Sequence, residues 1–286
     1  MSLGILTNVA ATYAQNNLNQ TQNSLQTVLQ QLSSGSRINS GADDAAGLSI
    51  SNGLQANIAA LTQSAQNAQN GVGLLQTADG ALSQVTNLLD RAVTLATEAS
   101  NGGLTAAQST AADTEFQSIL TQIGSIGSTT NFNSTGVFNQ AAGTSFVVTD
   151  GTGVGGTTTI TSAATALTAV SGGASSIGGI TTLTSAADVL TSTATAGAAL
   201  TDITKAIAGI SAQRGALGAN INQLNAAANV ANSESVNLSS AQASIDSTNY
   251  GQATSNLAKY QVLSQTGISA LAQANSVQQE ILKLLQ

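Results

Sequence analysis

The chain contains no cysteine, histidine, proline or tryptophan, and only 2% of its 286 residues are aromatic. Without cysteine it cannot form a disulfide, and without cysteine and histidine it lacks the usual soft metal ligands and catalytic bases. Without proline, no residue of this type interrupts a long helix from within. We therefore expect neither an enzyme nor a bound cofactor or metal.

Charge is also scarce, since charged residues make up 7% of the chain and the formal net charge is -7 at pH 7. The six Lys and Arg residues are scattered singly and form no basic stripe for a phosphate backbone, so we expect no nucleic acid partner. No window approaches the roughly 20 apolar residues of a membrane span. Residues 1–14 also lack the basic start and apolar block of a cleaved secretory signal. We expect no membrane insertion, and any export would use a route without such a signal.

Apolar residues recur at alternating intervals of four and three over residues 54–99, and only a helix places such positions on one side. A second series with the same alternation covers residues 203–245, interrupted only by Arg214, Ser235 and Gln242. We call these segments the first rod and the second rod. Two such helices from opposite halves of the chain predict an antiparallel coiled coil.

A shorter helix is predicted at each end of the chain. The same spacing appears in Ala11, Ala14, Leu18, Thr21, Leu25, Val28 and Leu32, and again in Leu263, Gly267, Ala270, Ala274, Val277, Ile281 and Leu284. Asp43 and Asp44 are expected in the first turn of the first rod's helix, where negative charge is favourable, with Ser40 as a possible N-cap. The chain is therefore ordered as short helix, connector, rod, insert, rod, connector and short helix.

The segment between the rods has a different composition. A third helix is predicted at about residues 105–126 and a hairpin at residues 131–138. Residues 140–197 consist mostly of Gly, Ser, Thr and Ala, which suits either a flexible linker or a small β-rich outer domain with strands near 145–149 and 157–161. We favour the second interpretation. The predicted fold class is mainly α, with long antiparallel coiled-coil rods formed by the N- and C-terminal halves and a small β-rich outer insert.

The order of these segments and several motifs within them resemble bacterial flagellin, the subunit of the flagellar filament. The motifs are Asn16-Asn17-Leu18-Asn19, Leu32-Ser33-Ser34-Gly35-Ser36-Arg37-Ile38-Asn39-Ser40, Asp43-Asp44-Ala45-Ala46-Gly47, the segment 241–250, Gln265-Thr266-Gly267-Ile268-Ser269-Ala270-Leu271-Ala272-Gln273-Ala274-Asn275, and residues 281–285. The match covers roughly residues 1–139 and 198–286. The middle segment does not match, and in this family it is the variable outer region.

The resemblance implies a domain organisation. It comprises an inner-tube helical coiled coil (1–35 and 252–286), connectors (36–44 and 245–251), a helical rod domain with a β-hairpin (45–139 and 198–244) and a small variable surface domain (140–197). It also implies assembly contacts through apolar residues of the terminal helices. The candidates are Leu18, Leu25, Leu32, Ile268, Leu271, Ile281 and Leu285.

The implied function is that of a structural subunit that self-assembles into the helical flagellar filament for swimming motility. Expected partners are many copies of the same chain, the flagellar export apparatus and an export chaperone, and the filament cap and hook-associated proteins. The chain would be an extracellular protein, exported without a cleaved signal peptide. A hook-filament junction protein of the same family is the alternative. A surface adhesin of another class would explain the insert but not the paired terminal helices.

A host receptor is a further implied partner. Some flagellins are sensed by a Toll-like receptor through an Arg and a Leu on the long rod and a Glu on the third helix. By similarity of the surrounding segments these positions are Arg91, Leu95 and Glu115. Ala92, Val93 and Thr94 stand where better-known examples have a more charged run.

Overall fold

The computed structural model describes residues 8–138, 144–149, 159–162 and 189–284. Its elements are α1 (Val9–Ser34), α2 (Ala45–Ser100), α3 (Ala106–Thr129), β1 (Asn131–Phe132), β2 (Thr135–Gly136), β3 (Thr144–Val147), β4 (Thr159–Ser162), α4 (Thr193–Asp246) and α5 (Tyr250–Leu284). The fold is mainly α-helical, as the spacing of apolar residues predicts. The chain divides into two compact units, unit 1 (residues 1–56 and 237–286) and unit 2 (residues 57–236).

The core of unit 2 follows the apolar seam of α2 and α4. Nearly all first-rod positions in this unit are buried, namely Leu61, Ala65, Ala68, Leu75, Ala78, Leu82, Val85, Leu89, Ala92, Ala96 and Ala99. The buried positions of α4 are Ala196, Ala199, Ile203, Ala206, Ile210, Leu217, Leu224, Ala228 and Ala231. The four-three spacing of both rods is therefore confirmed as the buried face.

The two helices of this seam run in opposite directions. Gly71 of α2 lies against Leu224 of α4, and further along α2, Asp79 pairs with Arg214. Residue numbers rise on one helix as they fall on the other, so the predicted antiparallel pairing is confirmed within unit 2.

The third helix packs onto this core. A capping box in which the side chains of Thr105 and Gln108 bond each other's backbone N–H begins α3, and its buried residues are Phe116, Ile119, Leu120, Ile123 and Gly127. β1 and β2 then form the predicted hairpin, with the two residues of its turn, Asn133 and Ser134, at positive φ. Val137 and Phe138, which follow the hairpin, are buried in the same core.

The insert is anchored to unit 2 at its beginning. β3 and β4 pair in antiparallel fashion from Thr144↔Ser162 to Val147↔Thr159, close to the predicted strands. The Ser64 hydroxyl of α2 donates to the Thr149 carbonyl at 2.7 Å, and the Asn67 side chain donates to the Val147 carbonyl at 3.3 Å. These bonds bind the strand that enters the insert to α2.

The chain is also anchored where it returns from the insert. Leu190 is fully buried in the core of unit 2, and its N–H donates to the Asp113 carboxylate of α3 at 2.8 Å. α4 begins at Thr193, inside the range that the sequence assigned to the insert. Leu190 and the first residues of α4, which the sequence assigns to the insert, therefore belong to the helical core of unit 2. Of residues 140–188, the structure describes 144–149 and 159–162, and the others lie outside the described part of the chain.

In unit 1, α1 packs against α5. The predicted seam of α1 is confirmed, because Leu18 and Val28 are buried and Ala11, Ala14, Thr21, Leu25 and Leu32 are half-buried. The Asn8 side chain donates to the Ala274 carbonyl at 2.9 Å, whereas the Thr248 hydroxyl donates to the Gln31 carbonyl at 3.3 Å. The start of α1 therefore lies beside the end of α5, and the two helices are antiparallel.

The seam of α5 differs from the predicted one. Its buried or half-buried positions include Ala253, Leu257, Tyr260, Ser264, Gly267, Leu271 and Ala274, whereas Leu263 and Val277 are exposed. A Cβ added to Gly267 would lie 3.3 Å from Leu18 Cδ1, so the large Leu18 side chain packs over a residue that has none. The face of α5 toward α1 therefore keeps the four-three spacing, but it includes Leu257, Tyr260 and Leu271 in place of the predicted Leu263, Ala270 and Val277.

The connectors are shorter than predicted on the C-terminal side, because α4 continues to Asp246 and α5 begins at Tyr250. In the described part of the chain, no helix combines the length and the apolar character that crossing a bilayer requires.

Leu82 tests the seam of unit 2, since its side chain is fully buried in the middle of α2. We expect Leu82→Asp to lower the free energy of unfolding by about 3 kcal/mol or more, because a carboxylate there has no partner. Circular dichroism melts of the purified monomer measure this. The exposed neighbour Gln84 provides the control, and Gln84→Asp should cost about 0.5 kcal/mol through helix propensity alone. Equal melting temperatures for the two variants would contradict the seam.

Candidate assembly and connector sites

The connector of unit 1 begins where α1 ends. Gly35 closes α1 in the left-handed conformation, with φ of 72°, and its N–H donates to the Gln31 carbonyl. A Cβ at this position would lie 2.9 Å from the Tyr250 hydroxyl oxygen of α5. Glycine is therefore favoured here by backbone conformation, whereas the Tyr250 hydroxyl, at the end of a side chain that is 56% exposed, can move aside.

After Gly35, the chain pairs with the segment that links α4 to α5. Ser36 and Ser247 form an antiparallel bridge, flanked by the bond from Arg37 N–H to the Asp246 carbonyl at 2.6 Å. The Ser36 hydroxyl also donates to the Asp246 carboxylate. The two connectors are thus hydrogen-bonded to each other rather than running separately.

Arg37 binds the end of α4. Its Nε and Nη2 donate to the Ile245 carbonyl at 3.2 and 2.8 Å, and Nη2 lies 3.8 Å from an Asp44 carboxylate oxygen. A cation at a helix C-terminus satisfies a free carbonyl and complements the helix dipole. This gives a physical reason for the arginine in the flagellin-like motif.

The two aspartates before α2 have different roles from those predicted. α2 begins at Ala45, so neither lies within its first turn. Asp44 is the residue that caps the helix, because its Oδ1 accepts the Gly47 N–H at 2.8 Å. Asp43 instead accepts both backbone N–H groups of Asn39 and Ser40, and also the Ser40 hydroxyl, through one oxygen. These bonds lower the pKa of the Asp43 carboxyl, with the Asn39 bond as the main cause.

The lack of a side chain at Gly47 explains why the segment Asp43-Asp44-Ala45-Ala46-Gly47 has glycine three residues after the capping aspartate. A Cβ on Gly47 would lie 2.5 Å from Oδ2 of the capping Asp44 carboxylate, the oxygen beside the one that accepts the Gly47 N–H, and 2.7 Å from Ile38 Cδ1, and the Ile38 side chain is itself buried. Any larger residue would displace either the cap or the one apolar anchor of the connector.

The predicted assembly residues fall into two groups. Leu18 is buried and Leu25, Leu32 and Leu271 are half-buried, all on the faces that α1 and α5 present to each other. Ile268 is 50% exposed. The Ile281 side chain and Leu285 lie outside the described residues.

The structure also has exposed apolar residues in unit 1, most of which the predicted seams do not include, whereas two, Leu263 and Val277, were predicted on the seam of α5. They are Val9, Tyr13, Leu29, Ile50, Tyr250, Val262, Leu263 and Val277, in addition to Ile268. The most exposed are Tyr13 at 68% and Val262 at 63%. Several of them could have been recognised in the sequence, because they are large apolar residues outside the four-three spacing. Packing between two helices does not account for apolar residues at such positions.

Two of the receptor candidates form an exposed ion pair in unit 2. Arg91 Nε and Nη2 donate to the two Glu115 carboxylate oxygens at 2.7 and 3.0 Å, with the side chains 53% and 47% exposed. This bonding raises the pKa of Arg91 and lowers that of Glu115. The third candidate, Leu95, is only 3% exposed and belongs to the core. The structure therefore brings Arg91 and Glu115 together at the surface and places Leu95 beneath it.

Two of the polar residues that interrupt the second rod, Arg214 and Gln242, have partners on α2. Arg214 donates to both Asp79 carboxylate oxygens at 2.7 and 3.2 Å, which raises the pKa of Arg214. A cavity of about 370 Å³ opens around this pair. In unit 1, the Gln242 side chain donates to the buried Ser51 hydroxyl at 3.4 Å. Each of these interruptions is thus matched by a polar group across the seam.

Comparison with known proteins gives two family matches. The family described as bacterial flagellin N-terminal helical region matches residues 5–143, and the bacterial flagellin C-terminal helical region matches residues 200–285. Polar flagellin F of Vibrio parahaemolyticus is 39% identical over 51% of this chain and 38% of its own length. B-type flagellin of Pseudomonas aeruginosa is 42% identical over 50% of this chain and 30% of its own length. The aligned part of the chain therefore spans about a third of the length of either relative.

A solved structure is also similar. The crystal structure of Bacillus cereus flagellin aligns with 58% of this chain and 88% of that chain, at 28% sequence identity and a TM-score of 0.47.

Gly35 and Gly53 form a matched pair for testing the connector. Gly53 lies in α2 of unit 1 with nothing within 4 Å of an added Cβ, so we expect Gly53→Ala to stabilise the protein by about 0.5–1 kcal/mol. Gly35→Ala should destabilise it by about 1–2 kcal/mol, because alanine is strained in the left-handed region. Urea unfolding followed by circular dichroism measures both. A Gly35→Ala variant as stable as Gly53→Ala would exclude the connector geometry described here.

Proposed function

Because the chain belongs to the bacterial flagellin family, we propose that it is a structural subunit that self-assembles into the helical filament of the bacterial flagellum for swimming motility. The family is one of structural proteins. The observation that carries the proposal is the set of exposed apolar side chains on α1 and α5. The proposed partner is accordingly another copy of the same chain.

The pairing of α1 with α5 leaves apolar side chains of both helices uncovered. Each helix buries one face against the other, while residues such as Tyr13 and Val262 remain in contact with water. Covering apolar surface contributes about 25 cal/mol per Å², so neighbouring copies that meet at these positions would stabilise an assembly. Val9 and Tyr13 are four residues apart on α1 and therefore lie side by side on one face. Such a face suits packing against further helices.

The buried seam sets a limit on which residues can make these contacts. Leu18, Leu25 and Leu32 are engaged with α5 of the same chain, so they would support assembly by holding the helix pair together. Ile268 and the exposed residues outside the register are the better candidates for contacts between copies. The family membership also supports an extracellular location reached without a cleaved signal, and interactions with the export apparatus, an export chaperone, the filament cap and hook-associated proteins. No observation favours the hook-filament junction alternative.

Recognition by a Toll-like receptor is proposed to use Arg91 and Glu115. Both side chains are exposed, and they are held together by two hydrogen bonds, so they would present one preformed polar surface. Leu95, in contrast, would act by packing beneath this surface, because it is buried in the free chain.

Assembly is tested by a double substitution on the exposed face. We expect Tyr13→Glu together with Val262→Glu to abolish filament formation after seeding, because charges would be buried between copies, while the monomer melts as the parent does. Gln20→Glu with Gln261→Glu is the matched control, since both residues are exposed on the same helices and the added charge is equal. Electron microscopy and sedimentation measure the outcome. Normal filaments from the first variant would refute the proposed contact face.

Receptor recognition is tested with Arg91→Ala. We expect its affinity for the receptor ectodomain to fall by about tenfold or more, since Glu115 loses its partner and the receptor loses a cationic contact. The thermal unfolding curve should stay close to that of the parent, because the pair is exposed. Asp90→Ala, at the adjacent exposed position, should bind as the parent does. Unchanged binding by Arg91→Ala would remove the pair from the recognition surface.

A further inference from the structure

Three Asn-Gly pairs occur in the sequence, at residues 52–53, 70–71 and 101–102. In this dipeptide the asparagine amide is prone to loss, because glycine has no side chain to hinder attack by its own backbone nitrogen on the neighbouring side-chain carbonyl. All three asparagines are exposed. Exposure alone therefore does not predict which of the three asparagines loses its amide fastest.

The hydrogen bonding of the backbone N–H that follows each asparagine does differ between the three sites. Asn52 and Asn70 lie inside α2, where the N–H of the following glycine is engaged in the helical hydrogen-bond ladder. Gly71 is additionally enclosed by Leu224 and Phe146. Attack by either glycine nitrogen requires local unfolding of α2, which protects these two asparagines.

Asn101 is the first residue after α2, and its backbone is arranged differently. Its N–H donates to the Glu98 carbonyl at 3.2 Å, and its carbonyl accepts the Gly103 N–H, which forms a three-residue turn centred on Gly102. Within the described residues, the Gly102 N–H has no hydrogen-bond acceptor. The attacking nitrogen is therefore already free in the folded chain.

We propose that Asn101 is a site of spontaneous deamidation. The Gly102 nitrogen forms a bond to Asn101 Cγ, the Cγ–Nδ2 bond breaks, and ammonia leaves, with the proton of Gly102 passing to solvent and solvent protonating the leaving nitrogen. Water then opens the resulting succinimide at either carbonyl, giving aspartate or isoaspartate. The reaction consumes only water and involves no oxidation or reduction.

The product changes the end of α2. A new carboxylate appears one residue beyond the helix C-terminus and three residues from Glu98, where the helix dipole already disfavours negative charge. Isoaspartate also lengthens the backbone of the turn between α2 and α3. Deamidation therefore loosens the last turn of α2 and creates a charge variant of the chain.

Peptide mapping by mass spectrometry after prolonged incubation of the full chain at physiological temperature tests the proposal. In folded protein we expect Asn101 to react at least about tenfold faster than Asn52 and Asn70, and in urea we expect the three rates to converge. If Asn52 or Asn70 reacts as fast as Asn101 in the folded chain, or Asn101 reacts only after unfolding, the proposal is overturned.

Gly102→Val supplies a second test of the attacking atom. An added Cβ at Gly102 would lie 4.0 Å from its nearest neighbour, Thr193, so the variant should fold normally. We expect deamidation of Asn101 to slow by about tenfold, because a branched side chain hinders attack by the same nitrogen. An unchanged rate would exclude attack by Gly102.

Discussion

Unit 2 depends on the burial of one narrow apolar seam between α2 and α4. The seam alternates large side chains such as Leu82 and Leu89 with alanines such as Ala78 and Ala92, and all four are fully buried. Alanines allow the two backbones to approach closely, so that a chain with few aromatic residues still excludes water along the interface. The α3 residues, the hairpin and the anchors of the insert all pack on this pair of helices. Without this pair of helices, these segments would have too little apolar surface to fold on their own.

Two polar residues on the seam of α4, Arg214 and Gln242, have a polar partner on α2. Arg214 falls at a seam position of α4, and Asp79 of α2 receives it through both carboxylate oxygens. The pair is more than one-third exposed, so solvent screening keeps its contribution to stability small, on the order of 1 kcal/mol or less. Its larger effect is on alignment, because a shift of either helix by one turn would separate the two charges and break the bidentate contact.

The sequence alone predicts most of the fold, for a physical reason that also explains its failures. Periodicity identifies a helix face correctly when the partner face is continuous, as for α1, α2 and α4. On α5 it identifies only part of the face, because Leu257, Tyr260 and Leu271 follow the same spacing as Leu263 and Val277, and spacing alone does not say which series packs against α1. It also misses Leu190, because a single buried leucine after a Gly- and Thr-rich segment carries no periodic signal. Asp44 caps α2 and Asp43 binds the preceding turn, rather than both lying in the first helical turn, because the helix begins one residue after Asp44, and composition cannot resolve that start.

For the candidate sites as well, the sequence identifies residues, but the structure decides which of them are exposed. The resemblance to flagellins assigned Arg91, Leu95 and Glu115 to one recognition site, and the structure separates Leu95 from the exposed pair, because Leu95 lies three residues from Ala92 and four from Ala99 on the buried side of α2. The terminal helices show the reverse case. Most residues that the four-three spacing selects there already pack against the other helix of the same chain. Tyr13 and Val262, which lie outside that spacing, remain exposed. A contact between copies must therefore be sought among the apolar residues that the intrachain seam leaves unexplained, and it depends on the seam, because only a paired α1 and α5 hold those residues on an outward face.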